Sequence, residues 1–299
     1  MEKEQIYNII RNGNFNDSFT RNLVETVMLN SLRQLNIDSG ISESHNNETL
    51  TQLAEIIRDV FSDLEIRKLI GVQPLHGPVG EITRLQDKND NINRYAVEAR
   101  SRKCRVKWIK SEDFDQPKGN DHVTEDIETL VENSLVSEIN LEIACELFKF
   151  MLDAALQNNV PEVNDINSLK DVIYKTRQEI KDSTGKDLGN WLVVSEGSKF
   201  SEELTGSNKK GSNLLEKTIS IDGMNVFLTS DILLPPNTIL IGYKGTQENQ
   251  FASEEDAGLI YAPYIMMVVG YGGNANFVMR YALHSDSETP KYYRIIKVK

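Results

Sequence analysis

The chain has 299 residues, 39% of them hydrophobic, and a formal net charge of -12 at pH 7. It is long enough to bury one large core or two modest ones. The acidic balance argues against binding of nucleic acid over the whole surface, because attraction to phosphate needs clustered cations.

Cysteine content and apolar runs indicate where the chain is made. Two cysteines, Cys104 and Cys145, cannot form a disulfide framework, which favours a reducing compartment. The chain start lacks the cationic stretch and apolar core of a secretory signal. The longest apolar run, around Ala262 to Val269, is far shorter than the roughly 20 residues that span a bilayer. We therefore expect a soluble protein made in the cytoplasm, with no membrane partner.

The first 50 residues form a polar, Asn-rich segment with one helical patch. Its apolar residues recur at helical spacing and predict one apolar stripe: Leu23, Val24, Val27, Met28, Leu32 and Leu35. This pattern alone fits a surface helix on a tether. A second helix is predicted over Thr51 to Ile70, where Thr49 or Thr51 can cap the start and Gly71 stops it.

The next stretch, residues 72–112, predicts a long two-stranded ribbon. Gly77, Pro78 and Gly80 break the chain, a strand starts at Ile82, and residues 87–91 have turn chemistry. The return leg, residues 95–109, alternates between apolar and polar positions. Because an isolated hairpin is only marginally stable in water, the ribbon must lie on something.

The ribbon and the segment after it carry opposite charge. Residues 94–110 include one acid, Glu98, and seven cations: Arg94, Arg100, Arg102, Lys103, Arg105, Lys107 and Lys110. Eight acids face one cation, Lys149, between residues 124 and 157: Glu125, Asp126, Glu128, Glu132, Glu138, Glu142, Glu146 and Asp153. The two sets can pair within one subunit or form solvated faces, and exposed pairs contribute only about 0–1 kcal/mol each. Binding of nucleic acid by the basic strip is a competing interpretation.

The acidic segment, Thr124 to Gln157, predicts the longest helix of the chain. Its apolar residues form one stripe at steps of three and four, from Ile127 to Ala154. Thr124 can cap the start, and Pro161 follows the end. At ~1.5 Å per residue the helix would extend about 50 Å, long enough to brace a flat subunit.

Residues 159–244 predict a second lobe. An amphipathic helix is expected over Ser168 to Ser183, a buried strand over Trp191 to Val194, and a short helix over Ser198 to Leu204. Asp222-Gly223 gives the strongest short hairpin signal in the chain. A further buried strand is predicted from Thr238 to Lys244.

The last segment, residues 245–299, is predicted to return to the first lobe. Its strands are expected over Gly258 to Met267, Phe277 to Leu283 and Tyr292 to Val298. Pro263 lacks a ladder N–H, so its strand should lie at a sheet edge or bend there.

The chain shows little sign of catalytic or cofactor chemistry. It has no phosphate-binding glycine loop and no Gly-x-Ser-x-Gly elbow, and its four histidines stand far apart. The acid pairs Glu202-Glu203 and Glu254-Glu255 fit solvated charge. We therefore expect no enzyme, cofactor or metal, although a hydrolytic site assembled only in three dimensions is an alternative.

Three blocks carry a resemblance to a known family. They are residues 71–82, residues 189–194 and the series Gly242-Tyr243-Lys244-Gly245, Asp256-Ala257-Gly258 and Tyr261-Ala262-Pro263-Tyr264. In this order, with a strand at Phe277 to Leu283, they resemble the major capsid proteins of tailed bacteriophages, specifically the T-even (myovirus) branch. The resemblance covers about three quarters of the chain, from Leu50 onward.

The resemblance implies an α+β fold of the Hong Kong 97 type. Residues 1–50 would be the amino-terminal polar and helical segment, 51–71 the amino-terminal arm and 72–112 the extended loop. Residues 113–158 and 245–299 would form the peripheral domain with its spine helix, and 159–244 the axial domain.

In that family the extended loop lies over the spine helix of an adjacent subunit, which implies inter-subunit roles for the charged residues. The cations would be Arg94, Arg100, Arg102, Lys103, Arg105 and Lys107, and the acids Glu128, Glu132, Glu138 and Glu142. Removal of an amino-terminal segment by a phage protease would follow Ile41-Ser42-Glu43 or Leu53-Ala54-Glu55.

The implied function is self-assembly as hexamers and pentamers into an icosahedral or prolate shell that encloses phage DNA without reading its sequence. The protein would be made in the host cytoplasm and located in the virion capsid. Its partners would be other copies of itself, with portal, scaffold, vertex and decoration proteins. The alternatives are an encapsulin-like nanocompartment shell, a capsid vertex protein or, from another class, a nucleic-acid-associated or hydrolytic protein.

Overall fold

A computed structural model describes residues 18–39, 47–85, 92–106, 122–186, 189–205, 214–245, 254–269 and 275–299. Side chains at a few element ends are outside this description. The helices are α1 (Ser18–Ser39), α2 (Asn47–Ser62), α3 (His122–Ala155), α4 (Ile166–Thr184) and α5 (Ser201–Thr205). Short 3-10 turns cover Glu65–Lys68 and Thr289–Tyr292.

The described strands form two sheets and a separate hairpin. They are β1 (Gly71–Val72), β2 (Val79–Leu85), β3 (Ile92–Glu98), β4 (Arg100–Val106), β5 (Glu162–Val163), β6 (Asn190–Ser195), β7 (Leu215–Ile221), β8 (Met224–Thr229), β9 (Thr238–Tyr243), β10 (Ile260–Val269), β11 (Ala275–His284) and β12 (Tyr293–Val298). One sheet has the order β1-β10-β11-β4 and the other β5-β12-β9-β6-β8-β7, while β2 pairs with β3. The predicted α+β class is confirmed.

Local signals in the sequence set the ends of α4 and the turn between β7 and β8. Asp165 caps α4 by accepting from the backbone N–H groups of Asn167 and Ser168, and Gly185 ends it in the left-handed region at φ 76°. Asp222 and Gly223 have φ values of 50° and 79° and join β7 to β8, as a two-residue hairpin turn requires.

The strand at the centre of the second sheet is β9, and all six of its residues are buried. It pairs with β12 on one side and β6 on the other. At Gly242 an added Cβ would lie 2.2 Å from ring carbon Cζ2 of Trp191, so only glycine lets the indole cross the strand.

Pro263 lies in β10, which is an inner strand between β1 and β11. Of the two predicted outcomes, an edge position or a bend, the bend is present as a shift in register between Pro263 and Ile265. One prediction about sheet position is wrong. The terminal strand β12 lies in the second sheet against β9, so residues 245–299 do not return as a whole to the first lobe. Five of the six residues of β12 are buried, which is typical of an inner strand covered on both faces.

The ribbon is shorter than predicted. Its return leg breaks at buried Ala99, and β4 leaves β2 to pair with β11 in the first sheet. The helix α1 has its predicted stripe inside, since Leu23, Val24, Val27 and Met28 are buried in a core that includes residues of both sheets. The interpretation of α1 as a surface helix on a tether is therefore wrong.

Candidate assembly surfaces

The β2–β3 hairpin lies along the body of its own chain. Ile82 and Arg84 on its inner face are buried, and Tyr95 and Val97 pack against a cluster from the first sheet. The ring of Tyr95 lies 4.1 Å from that of His284, centroid to centroid. The inner face of the described hairpin therefore rests on its own subunit, and contact of the outer face with another copy stays a prediction.

Part of the outer face of the hairpin is exposed in the described part of the subunit. Val79 is 63% exposed and Ile92 52%, values unusual for large apolar side chains. Between them Arg94 and Glu81 lie 4.0 Å apart, both largely exposed. Alternate residues of a strand share a face, and the register Thr83↔Arg94 places these groups together. This outer face combines apolar contacts with a weak charge pair.

Residues 254–256 anchor the hairpin near its turn. The backbone N–H of Leu85 donates to the carbonyl of Glu255 at 2.9 Å, and the hydroxyl of Thr83 donates to the Glu255 carboxylate, also at 2.9 Å. Gln73 bridges the same region, since its amide donates to the carbonyls of Thr83 (2.7 Å) and Glu254 (2.9 Å). These bonds fix the orientation of the hairpin.

A buried ion pair ties the hairpin to the second lobe. The ammonium of Lys186, just after α4, contacts the carboxylate of Asp256 and donates to the carbonyl of Leu85 at 3.1 Å. The Asp256 carboxylate also accepts from the hydroxyl of Tyr243 at 2.6 Å. The two paired side chains are only 10% and 14% exposed. The amino-acid pattern gave no signal for this pair, because its members are far apart in the chain.

Glu254 was expected to be solvated, and that prediction is wrong. Its carboxylate accepts from the ammonium of Lys244 at 3.0 Å and from the backbone N–H of Val72 at 2.7 Å. Lys244 also donates to the carbonyl of Arg67 at 2.6 Å. Burial lowers the pKa of Lys244 despite the nearby carboxylate. The pair Glu202-Glu203 is exposed on α5, as expected.

A second buried cation holds the hairpin from inside. Arg84 donates to Asp286 at 2.6 Å and stacks over the ring of Tyr292, 4.7 Å from its centroid. Burial opposes ionisation of Asp286, but hydrogen bonds from its neighbours and the charge of Arg84 hold its pKa well below the usual range.

The basic strand β4 meets the spine helix α3 within the same chain. The guanidinium of Arg102 donates to both carboxylate oxygens of Glu146, at 2.6 Å and 3.2 Å. It also lies over the ring of Tyr281, 4.2 Å from the centroid, and the hydroxyl of Tyr281 donates to Glu146. Burial works against the charged form of Glu146, but hydrogen bonds from Arg102 and Tyr281 outweigh it and keep its pKa below the usual value. Arg102 therefore has its acidic partner in its own subunit.

Comparison with known protein families identifies the family of this chain. The model of the Gp23 major capsid proteins matches residues 87–295, more than two thirds of the chain. The chain belongs to the Gp23 major capsid protein family. Its place is therefore the virion capsid, as predicted. The match starts after the block at residues 71–82, and the T-even branch stays a prediction. Among curated proteins, no significant match is found.

Several solved structures are similar to this capsid protein at low identity. A virus-like particle from Pyrococcus furiosus is 10% identical with a TM-score of 0.44, covering 84% of this chain and 99% of that one. A structure from Microbacterium phage Oxtober96 is 10% identical with a TM-score of 0.48, covering 79% and 91%. The capsid of an empty GTA particle is 10% identical with a TM-score of 0.46, covering 79% and 90%. The family assignment rests on the sequence match.

The charged residues predicted between subunits of this capsid protein fall into three groups. Arg94 and Arg100 are exposed, on the hairpin and on β4, whereas Arg102 is satisfied internally. Glu138 is exposed and Glu142 partly so, one above the other on α3, and neither pairs with a cation in the described part of the chain. The side chains of Lys103, Arg105, Glu128 and Glu132, and all of Lys107, lie outside the described residues.

Of the two possible processing sites, Glu43 lies outside the described residues. Glu55 lies within α2, next to the buried residues Ile56 and Ile57. Among the described side chains, no group of three His, Cys, Asp or Glu residues could hold a metal ion. No described helix is both long and apolar enough to cross a membrane.

Proposed function

We propose that this chain is a Hong Kong 97-type shell subunit that self-assembles as hexamers and pentamers into an icosahedral or prolate capsid around phage DNA. The match of the major capsid family model over residues 87–295 carries this proposal. That match begins between β2 and β3 and ends within β12, so it includes α3, the second sheet as far as Ile295 and the strands β4, β10 and β11 of the first sheet. The role is structural and needs no catalytic centre, and portal, scaffold, vertex and decoration proteins are its expected partners.

The outer face of the hairpin and the acidic row on α3 are the proposed contacts between neighbouring copies. Arg94 and Arg100 supply exposed positive charge, and Glu138 and Glu142 supply negative charge. Lys103, Arg105, Lys107, Glu128 and Glu132 extend the two sets in sequence. Exposed charges of this kind set the approach and register of partners more than their affinity. The apolar groups Val79 and Ile92 would then supply area that becomes buried on contact.

The test is electron microscopy of the purified protein with and without a reversal of charge on α3. The native chain should form closed shells. Glu138→Lys with Glu142→Lys should lower their yield, and Arg94→Glu with Arg100→Glu in the same chain should restore part of it. The control, Glu202→Lys with Glu203→Lys, makes the same change in charge on α5. Equal shell yields for the reversed and control chains would show that the α3 row is not an interface.

Processing of the amino-terminal segment is proposed at Glu43 and not at Glu55. A protease binds an extended chain, and cutting after Glu55 would require α2 to unwind and expose Ile56 and Ile57. Mass spectrometry of mature particles would show a chain starting at Ser44 if this is right. A full-length chain that starts at Met1, or a start at Ile56, would contradict it.

A further inference from the structure

The irregular part of β10 is completed by side chains of α1. The side-chain amide of Asn30 donates to the carbonyl of Tyr264 at 3.0 Å, next to the shift in register that follows Pro263. The same amide donates to the carbonyl of Leu75 at 2.7 Å. The backbone N–H of Met266 donates to the hydroxyl of Ser31 at 3.0 Å. Two backbone groups of β10 and the carbonyl of Leu75 beside it thus depend on two side chains of α1. In the sequence, α1 lies more than 200 residues before β10.

These polar contacts are fully enclosed. Asn30 is 2% exposed and Ser31 0%. Ser31 also donates its own proton to the carbonyl of Val27 at 2.7 Å, so its oxygen is free to accept from Met266. A buried backbone group without a partner costs about 1–3 kcal/mol, so a docked α1 that lacked these two side chains would incur several such costs at once.

The same helix also buries an apolar stripe. Leu23, Val24, Val27 and Met28 are at most 3% exposed, and α1 packs against both β10 and α2. Burial of the apolar stripe supplies binding energy. The two polar side chains determine which helix binds to β10 and in which register it lies along the strand. Both parts of a specific helix-in-groove site are therefore present on β10.

We propose that β10 carries a docking site for α1 that recognises this helix as a separate partner and retains it when the covalent link between α1 and α2 is broken. The occupant is the segment Ser18–Ser39 of the same chain. This inference goes beyond shell assembly and does not depend on it. A processed subunit would therefore keep α1 bound, and cutting the chain would not by itself uncover β10.

The experiment uses the full chain with a specific protease recognition sequence replacing residues 40–46. After cutting, size-exclusion chromatography and mass spectrometry should find the fragment that carries α1 in the same peak as the rest of the subunit. Asn30→Leu with Ser31→Ala should release it roughly tenfold more readily, because the carbonyls and the N–H of β10 lose their partners. The control, Arg33→Gln, changes an exposed residue of the same helix and should behave like the native sequence.

The cut native chain tests retention of α1 even if the double variant does not fold. Release of α1 from a body that stays folded by circular dichroism would overturn the proposal. Equal retention in the double variant and the control would overturn the role of the two polar side chains. Uptake of a labelled peptide of residues 18–39 in exchange for the native helix would support recognition of α1 without its covalent link.

Discussion

At the scale of single residues, Glu146 connects three elements that are distant in the chain. It accepts from Arg102 on β4 and from Tyr281 on β11 while it stands on α3. The charge pattern of the sequence indicated attraction between this strand and this helix. It could not show that Arg102 is satisfied within one subunit, because that depends on how β4 pairs with β11.

Glu146→Gln is expected to lower the free energy of unfolding by about 1.5–3 kcal/mol, as for other buried bonds to a charged group. The effect should depend on pH with a known sign. Because the folded protein lowers the pKa of Glu146, the stabilisation is complete above its ordinary value of 4.5 and is lost as pH falls through the lower folded value. Urea unfolding from pH 7 down to pH 3 measures this.

The matched control for Glu146 is Glu142→Gln, one turn earlier on the same helix. It has no described ion pair and should change stability by about 0.5 kcal/mol or less. If the free energies of unfolding of the native protein and of Glu146→Gln differ by the same amount from pH 7 to pH 3, the carboxylate of Glu146 does not provide the stabilisation assigned to it.

Asp256→Asn should destabilise the subunit by about 3 kcal/mol, because it leaves the buried ammonium of Lys186 without its counter-ion. Thermal and urea unfolding measure the loss. Glu288→Gln, in the exposed pair with Lys291, removes the same charge and should cost at most about 1 kcal/mol. Equal effects of the two changes would mean that the Lys186 pair is as weak as a surface pair.

At the scale of elements, the sequence predicted what is decided locally. The period of α4, the Asp222-Gly223 turn and the period of α3 depend on neighbours in the chain, and these elements are present within a few residues of their predicted bounds. The membership of β4 and β12 in their sheets depends on pairings over long separations. Their residue types indicate strands but not the strands with which they pair, and for that reason β4 and the terminal strand were assigned to the wrong neighbours.

Gly242→Ala should cost about 1–3 kcal/mol, as overpacking of a close-packed core does, because its methyl group would overlap the Trp191 ring. Trp191→Phe removes the overlapping ring atoms. In that background the cost of Gly242→Ala should fall by at least about 1 kcal/mol in a double-mutant cycle. The same cost in both backgrounds would place the strain elsewhere in β9.

At the scale of the whole molecule, the capsid role and the family were predictable from three short blocks, but the surfaces that join subunits were not. The blocks converge around residues 254–258, where they hold the hairpin, the first sheet and the second sheet together. They are therefore mainly interior contacts. The interface between subunits is more readily sought on exposed faces, such as the one that carries Val79 and Ile92.

Val79→Ser with Ile92→Ser should leave the free energy of unfolding of the subunit within about 0.5 kcal/mol, because both side chains are already solvated. It should nevertheless reduce assembly into shells, measured by sedimentation and electron microscopy. Ile232→Ser changes a side chain that is 72% exposed in the second lobe and serves as the control. Normal shells from the hairpin variant would rule out the outer face as a contact.

The ammonium of Lys186 has a mechanical consequence. It joins the carbonyl of Leu85 to Asp256, directly beyond the last turn of α4. A force that pulls the hairpin away from the body would therefore act on this side chain together with Arg84 and the bonds to Glu255. Rupture should start at these side-chain links, and the strands on either side should hold together longer.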